Sequence, residues 1–409
     1  MDADEVRLPY GDGTVPVSLP DCDVTVVDRP GGEAVDARAA ADRALADPHG
    51  PSLADVVAPD DTVAVVVTDV TRATPDDVLL DALFARLPGE VTEERVSVVL
   101  GLGLHRPMTD AEIAEGLGDH APLAENHDPK AARHVGEVDG VPVMLNATVD
   151  DADVVLATGM VEPHQYAGFS GGAKTVVIGA GGEPIIRYTH GPDMLSRDAV
   201  RLSRVEGNPF RDAVDRAGDV AGPDFCINVT KGPAGFLGVA AGRPREAVRD
   251  LSATARAALS VEVAGTYDAV LAGVGAPKDA NLYQTTRALT YLVLGDHNPV
   301  REGGRVVIPA RLTEGAGEGT GERRFHDRLR SAGSAAALYD EMRRGYEPGA
   351  QRAFVVARAL RECDAYVTNA EHPEVVEECL MTARESVAEA VDPGSDVLVV
   401  PDALNTLVV

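Results

Sequence analysis

Apolar residues in this chain gather in short unbroken runs. Residues 61–67, 95–100 and 152–157 read as buried strands, and 267–273, 305–309, 365–368 and 396–400 repeat the pattern later in the chain. Helical spacing over 75–87 follows the first run. Continuous apolar runs separated by helices mark parallel strands covered on both faces. Residues 5–27 read instead as a hairpin plus a strand. The pattern therefore predicts an α/β fold of two domains with mainly parallel sheets flanked by helices. An Ala-rich helix gives way to a new β-run across 256–264, which places a boundary there. Residues 1–258 are expected to form an N-terminal catalytic and cofactor domain, and 264–388 a C-terminal α/β domain. The last strand, 396–400, stands apart from the helix before it. The segment 390–409 is expected to return to the first domain, leaving the active site in a hinged interdomain cleft.

A chain of 409 residues is too long for one compact core, in keeping with two domains. No apolar run approaches the ~18 residues of a membrane span. The acidic start Met1-Asp-Ala-Asp-Glu5 lacks the basic and apolar parts of a signal peptide, so a cytoplasmic location is expected. Sixty-six acidic residues against 37 basic ones give a formal charge of −29, which argues against nucleic acid and anionic membrane as partners. Lysine occurs only at Lys130, Lys174, Lys231 and Lys278. Scarce lysine with abundant aspartate points to a halophilic habitat, where salt screens the self-repulsion. Cys22, Cys226, Cys363 and Cys379 form no CxxC pair, so neither a zinc ribbon nor a disulfide framework is indicated.

The ionisable motifs follow strand ends, where ligands sit in open parallel sheets. Asp69-Val-Thr-Arg72 follows the first strand. Arg72 can present a planar fork to a carboxylate or phosphate; the alternative is a local ion pair with a helix cap from Thr74. His105 and His164 follow the next two strands and are candidate proton carriers, unless they are structural. Tyr166-Ala-Gly168-Phe-Ser170-Gly171-Gly172-Ala-Lys174-Thr is a near miss to a phosphate-binding P-loop, with Ala173 where that motif has Gly. Its glycines allow backbone amides to approach an anion, and its lysine suits a covalent or cofactor-contacting amine. The alternative is a surface loop. His190 is of the type that binds nickel as well as zinc. Gln284 and Arg287 share a helical face suited to an acid substrate. The glycine-rich run 314–321 is a candidate lid or phosphate contact.

Taken in order, these residues resemble the nickel-dependent lactate racemase family of 2-hydroxyacid racemases and epimerases. The likeness rests on Asp69-x-x-Arg72, Gly103-x-His105-Arg106-Pro107, Pro163-His164, Ala167-Gly-Phe-Ser-Gly-Gly-x-Lys174, His190 and Asn281-x-Tyr283-Gln284-x-x-Arg287. The resemblance implies an isomerase working on a short 2-hydroxy acid by hydride removal and return. It implies nickel and a pyridinium-3,5-dithiocarboxylate-type mononucleotide (the nickel-pincer nucleotide) attached at Lys174, with His190 as the metal ligand and cofactor-biosynthesis enzymes as partners. Gly168, Ser170, Gly171 and Gly172 would line the cofactor. His105 and His164 would be the acid/base pair. Arg72 would contact the substrate carboxylate or transition state, with Asp69 orienting it, and Tyr283, Gln284 and Arg287 would bind substrate. The family pattern associated with lactate has Lys where this chain has Arg287, which puts the substrate's identity in question. Two other readings stand beside this one. One is a zinc hydrolase using His105, His164 and His190; the other is a non-catalytic cofactor-binding protein.

Overall fold

The structure is a computed structural model and describes residues 5–89, 91–347 and 349–409. The acidic start at residues 1–4 lies outside the described residues. The chain divides into two compact units. One holds residues 31–190 and 203–258; the other holds 1–30, 191–202 and 259–409.

The first unit is built on a six-stranded sheet. Its strand order is Gly235–Gly242, Phe225–Gly232, Val154–Met160, Val63–Thr68, Val96–Gly101, Ala124–Asn126. All neighbours are parallel except the Gly235–Gly242 edge, which runs antiparallel to Phe225–Gly232. Val63, Ala64, Val65, Val66 and Val67 are all buried, as a central strand covered on both faces requires. Leu45 of helix Ala37–Ala46 and Leu79 and Leu83 of helix Asp76–Phe84 share one core cluster with Val65, Leu100, Leu156 and Phe225. Each fully buried aliphatic side chain of this kind contributes about 1.5–3 kcal/mol. From Val63–Thr68 the chain steps outward to Val96–Gly101 and Ala124–Asn126. It then crosses to Val154–Met160 on the other side and continues away. The strand order thus reverses between Val63–Thr68 and Val154–Met160. The carboxyl ends flanking such a reversal form the crevice where open α/β sheets bind ligands.

The second unit carries an all-parallel sheet in the order Thr382–Arg384, Asp364–Thr368, Val300–Pro309, Tyr267–Ala272, Asp396–Val400, Asp23–Val26. The hairpin Glu5–Tyr10/Gly13–Ser18 supplies Leu8 and Val17 to its core. This arrangement corrects the expected chain division. The strand Asp396–Val400 does not return to the first unit; it lies between Tyr267–Ala272 and Asp23–Val26, and residues 1–30 join it there. A strand buried over Val397, Leu398, Val399 and Val400 needs ladder partners on both sides, and the N-terminal strand provides the outer one. The chain passes between the units after residues 30, 190, 202 and 258.

The glycine-rich run 314–321 is tied down by Glu314 and by Glu322 just beyond it. Glu314 accepts a hydrogen bond from Asn281 Nδ2 at 3.0 Å, and Glu322 accepts one from the Gly319 amide at 2.7 Å, capping helix Thr320–Arg330. Carboxylates in these positions oppose a phosphate contact. Among the described residues no helix is long and apolar enough to cross a membrane.

Candidate active site

The loops at the reversal point carry the chemistry. After Val63–Thr68 the chain turns sharply, with Ala73 in the left-handed region at φ 50°, a strained setting for a residue with a Cβ. Asp69 is buried. Its Oδ1 accepts from the Thr71 amide at 3.1 Å and the Thr71 hydroxyl at 2.5 Å, and its Oδ2 meets His105 Nδ1 at 2.6 Å. Burial alone would raise this carboxyl, but the hydrogen bonds from His105 and Thr71 outweigh it and hold Asp69 below the ordinary carboxylate range. Asp69 therefore orients His105, where the family resemblance implies Arg72. Arg72 instead gives Nη1 to Glu162 Oε1 at 2.5 Å, so the local Asp69–Arg72 ion pair does not form. Thr74 accepts from the Thr68 hydroxyl and makes no side-chain cap on the helix behind it.

The two candidate proton carriers are held differently. His105 follows Val96–Gly101, and its side chain is 64% exposed. With Nδ1–H given to Asp69, its Nε2 carries a lone pair. His164 lies in a two-residue pairing, Pro163–His164 against Gly168–Phe169. Its Nδ1 accepts two main-chain amides, Tyr166 at 3.2 Å and Ala167 at 3.1 Å. An imidazole nitrogen that accepts cannot carry a proton, so in this arrangement the ring proton sits on Nε2.

Lys174 emerges from a loop built to hold it. Gly168 has φ 75°, and a Cβ there would come 1.9 Å from the Arg204 carbonyl oxygen, so only glycine fits. The Ser170 hydroxyl donates to the Met160 carbonyl at 2.6 Å, and the Gly172 amide donates to Asn228 Oδ1 at 2.7 Å. Buried Arg211 donates to the Phe169 and Gly171 carbonyls and pairs with Asp215 at 2.8 Å. In this structure Gly168, Ser170, Gly171 and Gly172 thus shape the loop itself, and the amide of Gly172 is already satisfied by protein. Burial pushes the Lys174 amine down to about 7; Arg72 and Arg211 add to the shift, while Glu162 and Asp69 oppose it. A turn of π-helix, Thr175–Gly179, follows directly, a distortion frequent at functional sites.

His190 ends helix Glu183–Thr189. Burial is the main cause that pushes its pKa down to about 3, and nearby Lys174 adds to it. Nδ1 faces the Ile186 carbonyl at 3.1 Å, an acceptor, so Nδ1 carries the proton and Nε2 is left as a ligand atom. Tyr166 and Phe210 each pack against both His164 and His190, at centroid distances from 5.0 to 6.1 Å. The structure therefore brings Asp69, Arg72, His105, His164, Lys174 and His190 together. Among the described residues no three His, Cys, Asp or Glu side chains converge to hold a metal ion, so the three-histidine zinc site has no ligand set here. Tyr283, Gln284 and Arg287 belong to the second unit, on helix Leu282–Val293 capped by Asn281. There Gln284 Oε1 and Arg287 Nε are shut off from solvent with no hydrogen-bond partner.

Residues 10–202 match the family model described as lactate racemase N-terminal domain. The lactate racemase of Thermoanaerobacterium thermosaccharolyticum is 24% identical over 429 aligned residues, spanning 98% of this chain and 99% of that protein. The chain is similar to lactate racemases along nearly its whole length. A second relative, the lactate racemase of Lactiplantibacillus plantarum, is 24% identical over 366 residues, covering 85% of this chain and 84% of its own. The fold agrees as well. The lactate racemase apoprotein of Thermoanaerobacterium thermosaccharolyticum superposes with a TM-score of 0.86 at 22% identity, over 99% of this chain and all of that one. A Thermotoga maritima protein of solved structure matches with a TM-score of 0.61 at 16% identity, over 90% of this chain and 96% of that one.

Sequence alone assigns no role to two residues of this neighbourhood, Glu162 and Arg211. Glu162 stands beside Pro163-His164 and was visible there, but one carboxylate among 66 acidic residues carries no signal of its own. Arg211 lies in the first turn of helix Pro209–Ala221, where nothing local shows that it faces inward.

Proposed function

We propose that this chain racemises or epimerises a short 2-hydroxy acid, lactate first, using a nickel-pincer nucleotide tethered at Lys174 with His190 as the metal ligand. Similarity to lactate racemases along nearly the whole chain supports an isomerase, and both curated relatives carry that name. The observation that carries the reading is the convergence of a depressed-pKa lysine, a neutral imidazole with Nε2 open and two further histidines at one reversal point of the sheet. The residues suit the cofactor. An amine brought down to about 7 is substantially neutral at neutral pH, as acylation requires. A neutral imidazole whose other nitrogen is hydrogen-bonded to a carbonyl is the usual form of a metal-binding histidine. When bound, this cofactor supplies a hydride acceptor, which spares the enzyme from removing a proton beside a carboxylate.

The chain's own groups handle the charges and protons. Arg72 holds the substrate carboxylate or the charge that develops on reaction. His105 Nε2 takes the hydroxyl proton, and Asp69 stabilises the imidazolium that results. His164 presents Nε2–H to the substrate oxygen. To exchange a full proton at Nε2, its ring must give up the Tyr166 and Ala167 amides and carry a proton at Nδ1. Turnover therefore asks a rearrangement of the 164–167 turn that His105 does not need. The test is chiral chromatography of 2-hydroxy acids incubated with protein made alongside cofactor-biosynthesis enzymes. His105→Ala and His164→Ala should each abolish interconversion; near-wild-type rates in both would contradict the assignment.

A further inference from the structure

The geometry points to Glu162 as the residue that positions Arg72, bridging the two strand-end loops on either side of the sheet's reversal point. The inference rests on the racemase reading for its kinetic consequence, though not for its structural one. Arg72 follows Val63–Thr68 and Glu162 follows Val154–Met160, adjacent parallel strands from which the chain departs in opposite directions. Their side chains meet at 2.5 Å, with Arg72 28% and Glu162 26% exposed. That exposure leaves the guanidinium accessible to a ligand while one of its edges is fixed.

Glu162 is itself rigidly mounted. Its amide donates to Ser170 Oγ at 3.1 Å, and its carbonyl accepts from the Ser170 amide at 3.0 Å. Ser170 is anchored in turn on the Met160 carbonyl. The carboxylate therefore ties the Arg72 turn to a residue whose backbone is already fixed to the loop that leads to Lys174. Glu162 fixes one N–H of the fork, which leaves the remaining N–H donors to face a carboxylate or a developing oxyanion. Misplacing such a group by about 1 Å costs roughly a hundredfold in rate.

The test compares Glu162→Gln, Arg72→Ala and the double variant, each with a melting curve to show that it folds. In unloaded protein, phenylglyoxal modification of Arg72, followed by peptide mass spectrometry, should be several-fold faster in Glu162→Gln than in wild type. In cofactor-loaded protein, Glu162→Gln should lower kcat/KM for racemisation about a hundredfold. The double variant should be no worse than Arg72→Ala alone, because Glu162 acts through Arg72. An unchanged modification rate, or losses that multiply in the double variant, would overturn the inference. Absence of turnover in loaded wild-type protein would remove the racemase reading, and the modification rate would then decide the Arg72–Glu162 pairing by itself.

Discussion

His105 and His164 share a side chain but not a tautomer, and the difference comes from what each Nδ1 faces. A carboxylate accepts, so His105 donates from Nδ1; two backbone amides donate, so His164 accepts there. Nitrogen-15 NMR of histidine-labelled protein should show a protonated Nδ1 at His105 and His190 and a bare Nδ1 at His164. A bare Nδ1 at His105 would contradict the Asp69 dyad. Lys174 is open to an equally direct check. With its amine near 7, acetic anhydride should acylate it through a titration centred there, protonated and inert below, reactive above. Lys130, Lys231 and Lys278 are the only internal references needed, and a Lys174 midpoint near the ordinary lysine value would refute its burial. The sequence made these residues legible because histidine and lysine are rare in this chain and stand next to glycine or a strand end. Glu162 and Arg72 are 90 positions apart, and only folding shows that they meet.

The parallel strands were readable because a strand covered on both faces must be apolar at every position, as Val63–Val67 are. Partner choice was not readable, since ladder hydrogen bonds are made by backbone that every residue shares. That is why the place of Asp396–Val400 and the antiparallel edge Gly235–Gly242 had to come from the structure. Two elements beneath the site give stability tests. Arg211→Met leaves two loop carbonyls without this donor and Asp215 with Arg245 alone at 3.7 Å, and urea denaturation should show a loss of about 1–3 kcal/mol. A loss under about 1 kcal/mol would mean that Arg211 does not clamp the lysine loop. Asp76, in the first turn of Asp76–Phe84, is buried, and burial pushes its carboxyl up to about 7 against hydrogen bonds from Thr158 and Thr68. A raised carboxyl favours the folded state below its unfolded value and loses that advantage as pH rises through about 7. Asp76→Asn has nothing to ionise. Its melting temperature should therefore gain on wild type from about pH 5 to about pH 8; a constant difference would mean that Asp76 is already ionised at the lower pH.

At the scale of the molecule, the acid surplus of −29 is spread over a surface on which arginines, not lysines, supply most of the pairing cations. Self-repulsion of that size is screened by salt, so the melting temperature should climb from low to molar KCl. A flat or falling curve would remove the halophilic reading. The chain's path between its two units was half legible. The change at 258 and 259 falls where helical composition gives way to a β-run, whereas the return of residues 1–30 to the later unit has no local mark. The account as a whole turns on hydride chemistry at the Lys174 site. Its most direct test is racemisation of a single lactate enantiomer with ordinary hydrogen at the α-carbon, in deuterated water, by cofactor-loaded protein. The account predicts an equal mixture of enantiomers with the α-hydrogen retained; no interconversion, or products deuterated at the α-carbon, would contradict it.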